Sequence, residues 1–302
     1  MSVCFRKARA VSSVILFIAL ILVFAITTPA QSSSAKVPRK TKSATSLEKK
    51  FFVNILRDQR AIWTSPFHLQ KTDANWLAPL GLSTLTLMAT DRYTSRELVE
   101  HGDNLKRLRI SKDISRFGSI ATSGGVAGAL YLTGRLTRND RLRETGLLAG
   151  EALIDSNIVA RGLKTASQRQ RPPVDDSSGE FFDGGSSFPS GHAVSAWTLA
   201  TVVAQEYGRH RPLLQVGVYG LATAISLSRY TGRNHFLSDV LVGSALGYGI
   251  GRYVYHKHHD PELDAGSDKK DNDLVRSKLF PRIAPLYYPR AHVYGGVVSW
   301  NF

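Results

Sequence analysis

The sequence contains six apolar or amphipathic segments between residues 74 and 255, and none of them shows the alternation that is typical of β-strands. The segments cover 76–90, 120–136, 144–163, 193–207, 213–227 and 236–255. Each is long enough for a helix of a globular protein and is bounded by polar residues, glycine or proline. The pattern therefore predicts an all-α fold, a bundle of about six helices that occupies residues 74–255.

The sequence gives mixed signals about a membrane. Gly243, Gly247 and Gly251 recur every four residues, a spacing that lets helices pack closely within bilayers. Against this, the mean hydropathy of −0.13 is low for six membrane spans, and Glu151 and Asp155 would be costly against lipid. On balance the sequence predicts membrane association, and it leaves integral and peripheral attachment open.

The N-terminal part divides into three sections. Residues 1–30 combine a basic start, an apolar run and the small residues Thr28-Pro29-Ala30, which predicts a signal peptide or an uncleaved anchor. Residues 31–48 are rich in Ser, Lys and Thr and are expected to form a flexible linker. Residues 49–73 are expected to contain an amphipathic helix that lies on a membrane surface or packs on the domain.

The C-terminal part is expected to be less compact. Residues 256–280 read as a polar linker, in which His256, His258 and His259 precede Asp260. These side chains suit a metal site, but the sequence favours a solvated tail. Residues 281–302 are expected to form a short β-hairpin from the segments around Gly295-Gly296.

The composition points to anionic partners. The formal net charge is +15 and the isoelectric point about 10, which favours lipid headgroups or phosphorylated substrates. The basic residues are spread along the chain without a nucleic-acid motif, so no nucleic-acid partner is expected, and a merely basic surface is the competing explanation. Cys4 is the single cysteine and cannot form an internal disulfide.

A first polar cluster follows the third apolar segment. Lys164 and Arg171 are seven residues apart, so two turns of helix would place both on one face. Pro172 and Pro173 would then end that helix. The pair also fits a solvated basic face that includes Arg161 and Arg169. On its own it indicates only two cations at the end of a helix.

A second cluster precedes the fourth apolar segment. Ser190 suits the N-cap of the following helix, and Gly191 permits close approach of a ligand to the backbone. The free N–H groups of a helix N-terminus attract anions. His192 would lie in the first turn, where it could meet the ligand. An ordinary capped helix with an exposed histidine is the simpler alternative.

A third cluster links the last two apolar segments. Ser228 and Arg229 close one helix, and His235 and Asp239 are spaced by four residues, one turn apart in a helix. A carboxylate in that position can hold the Nδ1 proton of the imidazole and leave Nε2 free to act as a nucleophile or base. A local His–Asp surface pair is the alternative.

The order and spacing of the three clusters are far more specific than any one of them. They read Lys164-x6-Arg171-Pro172, Pro189-Ser190-Gly191-His192 and Ser228-Arg229-x5-His235-x3-Asp239. In this form the chain resembles the type 2 phosphatidic acid phosphatase family, whose three-part motif vanadium haloperoxidases and bacterial non-specific acid phosphatases share. Every motif position is matched, over about 76 residues.

The resemblance implies a phosphate-binding set. Lys164, Arg171 and Arg229 would hold the phosphate oxygens, together with Ser190 and the amide of Gly191. Fixed cations of this kind can stabilise charge on a transferring phosphoryl group, so no metal and no other cofactor is expected.

The resemblance also implies a catalytic set. His235 would attack phosphorus and become a phosphohistidine, and Asp239 would orient it and stabilise its cationic form. His192 would protonate the leaving alcohol and then activate water.

The expected function is hydrolysis of phosphomonoesters or pyrophosphates, with a phosphorylated lipid or a small phosphate ester as substrate. The alternatives are a vanadate-dependent haloperoxidase and a non-catalytic envelope-binding protein. An exported, periplasmic or envelope location would follow from residues 1–30. Substrate choice is expected to depend on residues 49–80 and on the acidic loop 174–188, which carries Asp175, Asp176, Glu180 and Asp183.

Overall fold

The fold was analysed in a computed structural model, which describes residues 44–100, 105–172, 178–209, 211–263, 282–288 and 293–299. Within these ranges, eight α-helices and two β-strands form. The helices are α1 (Ala44–Thr64), α2 (Ala74–Glu100), α3 (Leu105–Ser115), α4 (Ile120–Leu136), α5 (Asp140–Ser167), α6 (Gly191–Tyr207), α7 (Pro212–Thr231) and α8 (Leu237–His258). The predicted signal segment 1–30 and most of the predicted linkers lie outside the described residues.

The all-α prediction is confirmed for the helical domain, and each of the six predicted segments is a helix. The prediction missed α3, because its sequence contains four basic residues and few apolar ones. The N-terminal boundaries also differ from those expected. Helix α1 begins at Ala44, inside the predicted linker 31–48, and ends at Thr64. Two 3-10 turns, Ser65–His68 and Lys71–Asp73, then lead into α2.

The core lies where α4, α5, α6 and α8 pack together. Leu148 and Ala152 of α5 are fully buried, as are Val202 of α6 and Val254 of α8. Burial of such aliphatic side chains contributes about 1.5–3 kcal/mol each. Helix α1 covers one side of this core with Ile55, while its opposite face remains exposed.

The glycines of α8 allow it to lie unusually close to α6. A Cβ atom on Gly243 would lie 2.6 Å from the carbonyl oxygen of Ser190, and one on Gly247 would lie 2.4 Å from that of Val194. Only residues without a side chain permit such an approach. The spacing of four therefore serves helix packing inside the protein, and it fixes the start of α6 against the start of α8.

Glu151 and Asp155 are buried within the helical domain on α5. Among the residues that the structure describes, none of the helices has an apolar stretch of the length and hydropathy needed to cross a bilayer.

Two antiparallel strands, β1 (Arg282–Tyr288) and β2 (Val293–Ser299), form near the C-terminus. Ile283 pairs with Val298, and Leu286 pairs with Gly295. The arrangement differs from the one expected from the sequence, because Gly295 and Gly296 lie within the second strand rather than between two strands.

Candidate active site

The three polar clusters meet where the C-terminal end of α5 approaches the N-terminal ends of α6 and α8. The N–H of Ser190 donates to the carbonyl oxygen of Asp239 at 3.0 Å, which joins the second cluster to the third. The Nζ atom of Lys164 donates to the carbonyl oxygen of Ser186 at 2.7 Å, which joins the first cluster to the segment before α6. The structure thus brings together residues that the sequence separates by up to 75 positions.

Lys164 and Arg171 are close together, but the reason differs from the predicted one. Helix α5 ends at Ser167, and Gln168 adopts a left-handed conformation with φ of 45°, so Arg171 does not continue the helix. The chain turns back instead, and both cations reach Ser186. Burial, followed by the charge of Arg171, lowers the pKa of Lys164 to about 8.

Ser190 occupies the N-cap position of α6, as the sequence predicts, but its side chain does not cap the helix. Its Oγ atom is buried and has no hydrogen-bond partner among the described residues. A Cβ atom on the neighbouring Gly191 would meet only Lys164 Cε, at 3.9 Å. The start of α6 therefore has an unused hydroxyl at Ser190 and open space above Gly191, next to the side chain of Lys164.

His192 is half-buried in the first turn of α6. Burial, followed by the charges of Arg229 and His235, lowers its pKa to about 3, and Arg171 and Lys164 act in the same direction. These four residues influence His192 because they lie near it. The histidine is therefore neutral in the unliganded protein at ordinary pH.

His235 lies directly before α8, and Asp239 lies in its first turn. The Nδ1 atom of His235 is 3.5 Å from Oδ2 of Asp239 and 3.4 Å from Oγ of Ser187. The N–H of Phe236 donates to Oδ2 of Asp239 at 3.0 Å. The predicted pair is thus present at a helix N-terminus, with Nδ1 turned towards the carboxylate.

Burial lowers the pKa of His235 to about 4 and outweighs the opposing hydrogen bond and charge of Asp239. For Asp239, burial by itself would raise the pKa, but hydrogen bonding to His235 and the charge of Arg169 hold it below its usual value. A neutral imidazole beside an ionised carboxylate is the result.

Arg169 is a supporting residue that the sequence indicated only as part of an alternative, a solvated basic face. Its guanidinium is buried and donates to Oδ1 of Asp239 at 2.8 Å and to Oδ2 of Asp91 at 2.9 Å. Ser238 completes the network, since it receives a hydrogen bond from Arg169 and donates to Asp91. Nothing local marks Asp91, which follows an apolar segment far from the three clusters.

Arg229 depends on the helix that the sequence analysis missed. Its Nη1 atom donates to Oγ of Ser115, at the end of α3, at 3.0 Å. Its Nε atom is buried without a hydrogen-bond partner among the described residues. Burial, followed by the charge of Arg171, lowers its pKa to about 10, so it remains a cation.

The predicted specificity loop is described only in part, because Asp175 and Asp176 lie outside the described residues. The remainder folds back on the end of the first cluster. The N–H of Gln170 donates to the carbonyl oxygen of Glu180 at 2.9 Å, and its side chain reaches the carboxylate of Asp183 at 3.2 Å.

The site as a whole carries excess positive charge. Its cations are Lys164, Arg169, Arg171 and Arg229, and its carboxylates are Asp91 and Asp239. Two positive charges remain unbalanced, which is the charge that a dianionic phosphate group would neutralise. Fold and site together define an all-α protein with a buried site of net positive charge beside two neutral histidines.

A family model for the PAP2 superfamily matches residues 145–262, a range that includes all three clusters. A decaprenylphosphoryl-5-phosphoribose phosphatase of Mycobacterium tuberculosis is 31% identical over 157 residues, which are 47% of this chain and 81% of that protein. The chain therefore belongs to the PAP2 superfamily, in its phosphatase branch.

Other similarities are shorter or more distant. A lipid A 1-phosphatase of Porphyromonas gingivalis is 39% identical over 69 residues, which are 23% of this chain but only 16% of that protein. A transmembrane phosphatidylglycerolphosphate phosphatase of Bacillus subtilis aligns in structure with a TM-score of 0.47 and 21% identity, over 64% of this chain and 96% of that one. Aquifex aeolicus LpxE aligns with a TM-score of 0.43 and 21% identity, over 55% and 94%.

Proposed function

We propose that this chain is a phosphatase that hydrolyses a lipid-linked phosphomonoester or pyrophosphate. The observation that carries the proposal is the neutral, buried His235, whose Nδ1 atom contacts Asp239 and whose charged neighbours include Lys164 and Arg229. Membership of the PAP2 superfamily and the names of the relatives support the same reaction.

The phosphate group would be held by Lys164, Arg171 and Arg229, with the Ser190 hydroxyl and the Gly191 amide as further donors. The unused Oγ of Ser190 and Nε of Arg229 support this role, because buried donors without partners are rare in folded proteins. Cations and donors arranged in advance stabilise the charge on the equatorial oxygens during transfer.

His235 would act as the nucleophile. With Nδ1 held by Asp239, the lone pair of Nε2 attacks phosphorus, and the bond from phosphorus to the leaving oxygen breaks. Asp239 then stabilises the cationic phosphohistidine. Attack by water on phosphorus later breaks the N–P bond, which releases phosphate and restores neutral His235.

His192 would move the protons. It donates one to the leaving oxygen in the first step and accepts one from water in the second. In the unliganded site its pKa is too low for an acid, because burial and then the charges of the neighbouring residues lower it. The negative charge of bound phosphate would counteract the contribution of those charges and raise the pKa, so substrate binding itself would prepare the acid.

The reaction as proposed needs no metal ion, since fixed side-chain cations supply the charge that magnesium supplies in other phosphoryl-transfer enzymes. Phosphatase activity should therefore persist in EDTA. The lipid-linked substrate is proposed from the relatives and from the apolar side chains exposed on α1 and α2, among them Phe52, Leu56, Leu82 and Leu85. An exported, envelope-associated location is proposed from the predicted signal segment 1–30.

A phosphate-release panel on the purified full chain tests this function. Lipid phosphates, lipid pyrophosphates and soluble phosphate esters should be compared side by side, each with wild type and with His235→Ala. We expect turnover of at least one lipid phosphate by wild type and none above background by the variant. Equal turnover by both proteins would refute the assignment of the site.

A further inference from the structure

A second buried cluster of charged side chains lies along the same two helices that carry the active site, in the middle of α5 and at the C-terminal end of α8. It consists of Asp58 from α1, Glu151 and Asp155 from α5, and His258 from the end of α8. Glu151 precedes Lys164 by thirteen residues, which is about 20 Å along the helix, and His258 follows Asp239 by nineteen residues, about 28 Å. The phosphatase mechanism uses none of these residues.

The cluster is compact. The Nε2 atom of His258 lies 2.7 Å from Oδ2 of Asp58 and 3.3 Å from Oε1 of Glu151. One ligand atom from each of these three residues lies within 4.8 Å of the others. All three carboxylates, including Asp155, are at most 2% exposed. The sequence analysis favoured a solvated tail for His258, and the structure contradicts that reading.

Neutral side chains satisfy only part of the cluster. The Nε2 atom of Gln59 donates to Oδ1 of Asp155 at 2.8 Å, and the Tyr253 hydroxyl donates to Oδ1 of Asp58 at 3.1 Å. The oxygen Oδ2 of Asp155 has no hydrogen-bond partner among the described residues, and Oε1 of Glu151 makes only an ionic contact of 3.3 Å with Nε2 of His258 that is not a hydrogen bond. A buried carboxylate oxygen without a partner is costly, so the cluster lacks a group that would contact Oδ2 of Asp155.

The charges of the cluster do not balance. Three carboxylates face one imidazole, and the nearby Lys257 donates to the hydroxyl of Tyr253 rather than to a carboxylate. An additional cation would remove this conflict.

A neighbouring cluster provides an internal comparison. There the Nδ1 atom of His259 lies 3.3 Å from Glu144 and 3.5 Å from Glu206, again from three different helical elements. The Nε atom of Arg141 donates to Glu206 at 2.7 Å. Two possible cations therefore face two carboxylates. This cluster contains as many possible cations as carboxylates, whereas the cluster around His258 contains one possible cation for three carboxylates.

We propose that Asp58, Glu151 and His258 bind one divalent transition-metal ion, with Asp155 beside it as a further carboxylate. Two carboxylate oxygens and one imidazole nitrogen suit Zn²⁺ or Mn²⁺, while Mg²⁺ and Ca²⁺ prefer oxygen ligands alone. Ligand atoms of a tetrahedral zinc site are separated by about 3.3 Å, so the contact between His258 and Glu151 already has that spacing. The ion replaces the proton on Nε2 of His258.

Such an ion would stabilise the packing of three helices. Its ligands come from the N-terminal helix α1, from α5 and from the end of α8. The ion therefore fastens α1, which lies outside the range matched by the family model, to the two helices that carry the active site. It acts on stability and takes no part in phosphoryl transfer.

Metal binding by the untagged full chain tests the proposal. After treatment with EDTA and removal of the chelator, titration with Zn²⁺ or Mn²⁺ should show one bound ion per chain. At a free metal concentration of 100 times Kd, the melting temperature should rise by about 5–10 °C. Mg²⁺ and Ca²⁺ should have much smaller effects. Absence of both binding and a thermal shift with Zn²⁺ and Mn²⁺ would overturn the proposal.

Two variants locate the ion. Glu151→Gln removes a ligand charge with little change of shape, and it should abolish the bound equivalent and the thermal shift. Glu144→Gln makes the same change in the neighbouring cluster and should leave both intact. If Glu144→Gln abolishes binding while Glu151→Gln retains it, the ion lies elsewhere and the assignment is wrong. Circular dichroism shows whether each variant is folded. If either variant is unfolded, the titration of the wild type still decides whether one ion binds to the chain.

Discussion

Two regions along the pair formed by α5 and α8 carry buried charge of opposite sign. At the end near Lys164 and Asp239, cations exceed carboxylates, and in the region of Glu151 and His258, carboxylates exceed cations. Both regions also leave buried polar atoms without hydrogen-bond partners among the described residues, as Oγ of Ser190 illustrates in the first. A folded protein tolerates such imbalance where a ligand of opposite charge binds. The comparison therefore suggests an anion for the first region and a metal cation for the second.

The largest expected effect concerns the histidine of the cationic end. His235→Ala should lower kcat by at least about 1000-fold, because it removes the nucleophile. His256→Ala is the control, since His256 is an exposed histidine at the other end of α8. Steady-state phosphate release measures both. Similar phosphatase activity of the two variants would show that His235 is not the nucleophile.

The second largest effect concerns Arg169, whose guanidinium holds Asp239, and it is measured as a change in the free energy of unfolding. Arg169→Met leaves Asp91 and Asp239 buried without their shared cation, and it should lower the free energy of unfolding by about 3–5 kcal/mol. Arg161→Met changes an exposed arginine of the same region and should alter it by less than about 0.5 kcal/mol. Urea denaturation distinguishes the two. If Arg169→Met lowered the free energy of unfolding only slightly, the burial of Asp91 and Asp239 would not depend on the charge of Arg169.

A substitution of Ser190 should weaken phosphate binding without lowering the stability of the fold. Ser190→Ala removes a buried hydroxyl that has no partner in the protein, so the melting temperature should stay constant or rise. The lost charge-assisted hydrogen bond of about 1.5–3 kcal/mol should lower kcat/KM by roughly 10- to 100-fold. Ser187→Ala should instead destabilise the fold, because Ser187 donates to Asp239. Unchanged kcat/KM in Ser190→Ala would remove this hydroxyl from the phosphate site.

The smallest effect is a shift in pH dependence. The pKa of Lys164 lies at about 8, below its ordinary value, so the lysine is a cation below pH 8 and loses its proton as the pH rises further. The kcat/KM of wild type should therefore fall above pH 8. Lys164→Arg keeps the charge at every accessible pH, and this alkaline decline should disappear. An unchanged alkaline limb in the variant would assign it to another group.

The sequence predicted the helical domain well, because a helical period is a local property. It also predicted one site from Lys164, Arg171, His192, Arg229, His235 and Asp239. In the structure these residues lie near enough to shift one another's pKa values, and the roles assigned to them stay a prediction. The reason given for Lys164 and Arg171 was wrong, since the chain leaves the helix at Gln168. A single residue in a left-handed conformation leaves no periodic pattern in the sequence, so the end of this helix could not be predicted.

The supporting residues could not be predicted in the same way. Asp91 and Asp58 contact partners 78 and 200 residues away, and only the folded arrangement creates those pairs. Arg169 lies among other basic residues, so composition alone suggested a solvated face. His258 lies in a polar stretch that resembles a tail, and its burial depends on α1 and α5 packing over it.

The covalent intermediate is the most direct test of the proposed chemistry. A rapid-quench experiment with a substrate labelled at phosphorus should use the full chain and the His235→Ala variant. We predict an acid-labile, base-stable phosphate on His235 of the wild type, at a stoichiometry that rises when His192→Ala slows its hydrolysis. Labelled phosphate released at the normal rate without any label on His235 would contradict the account.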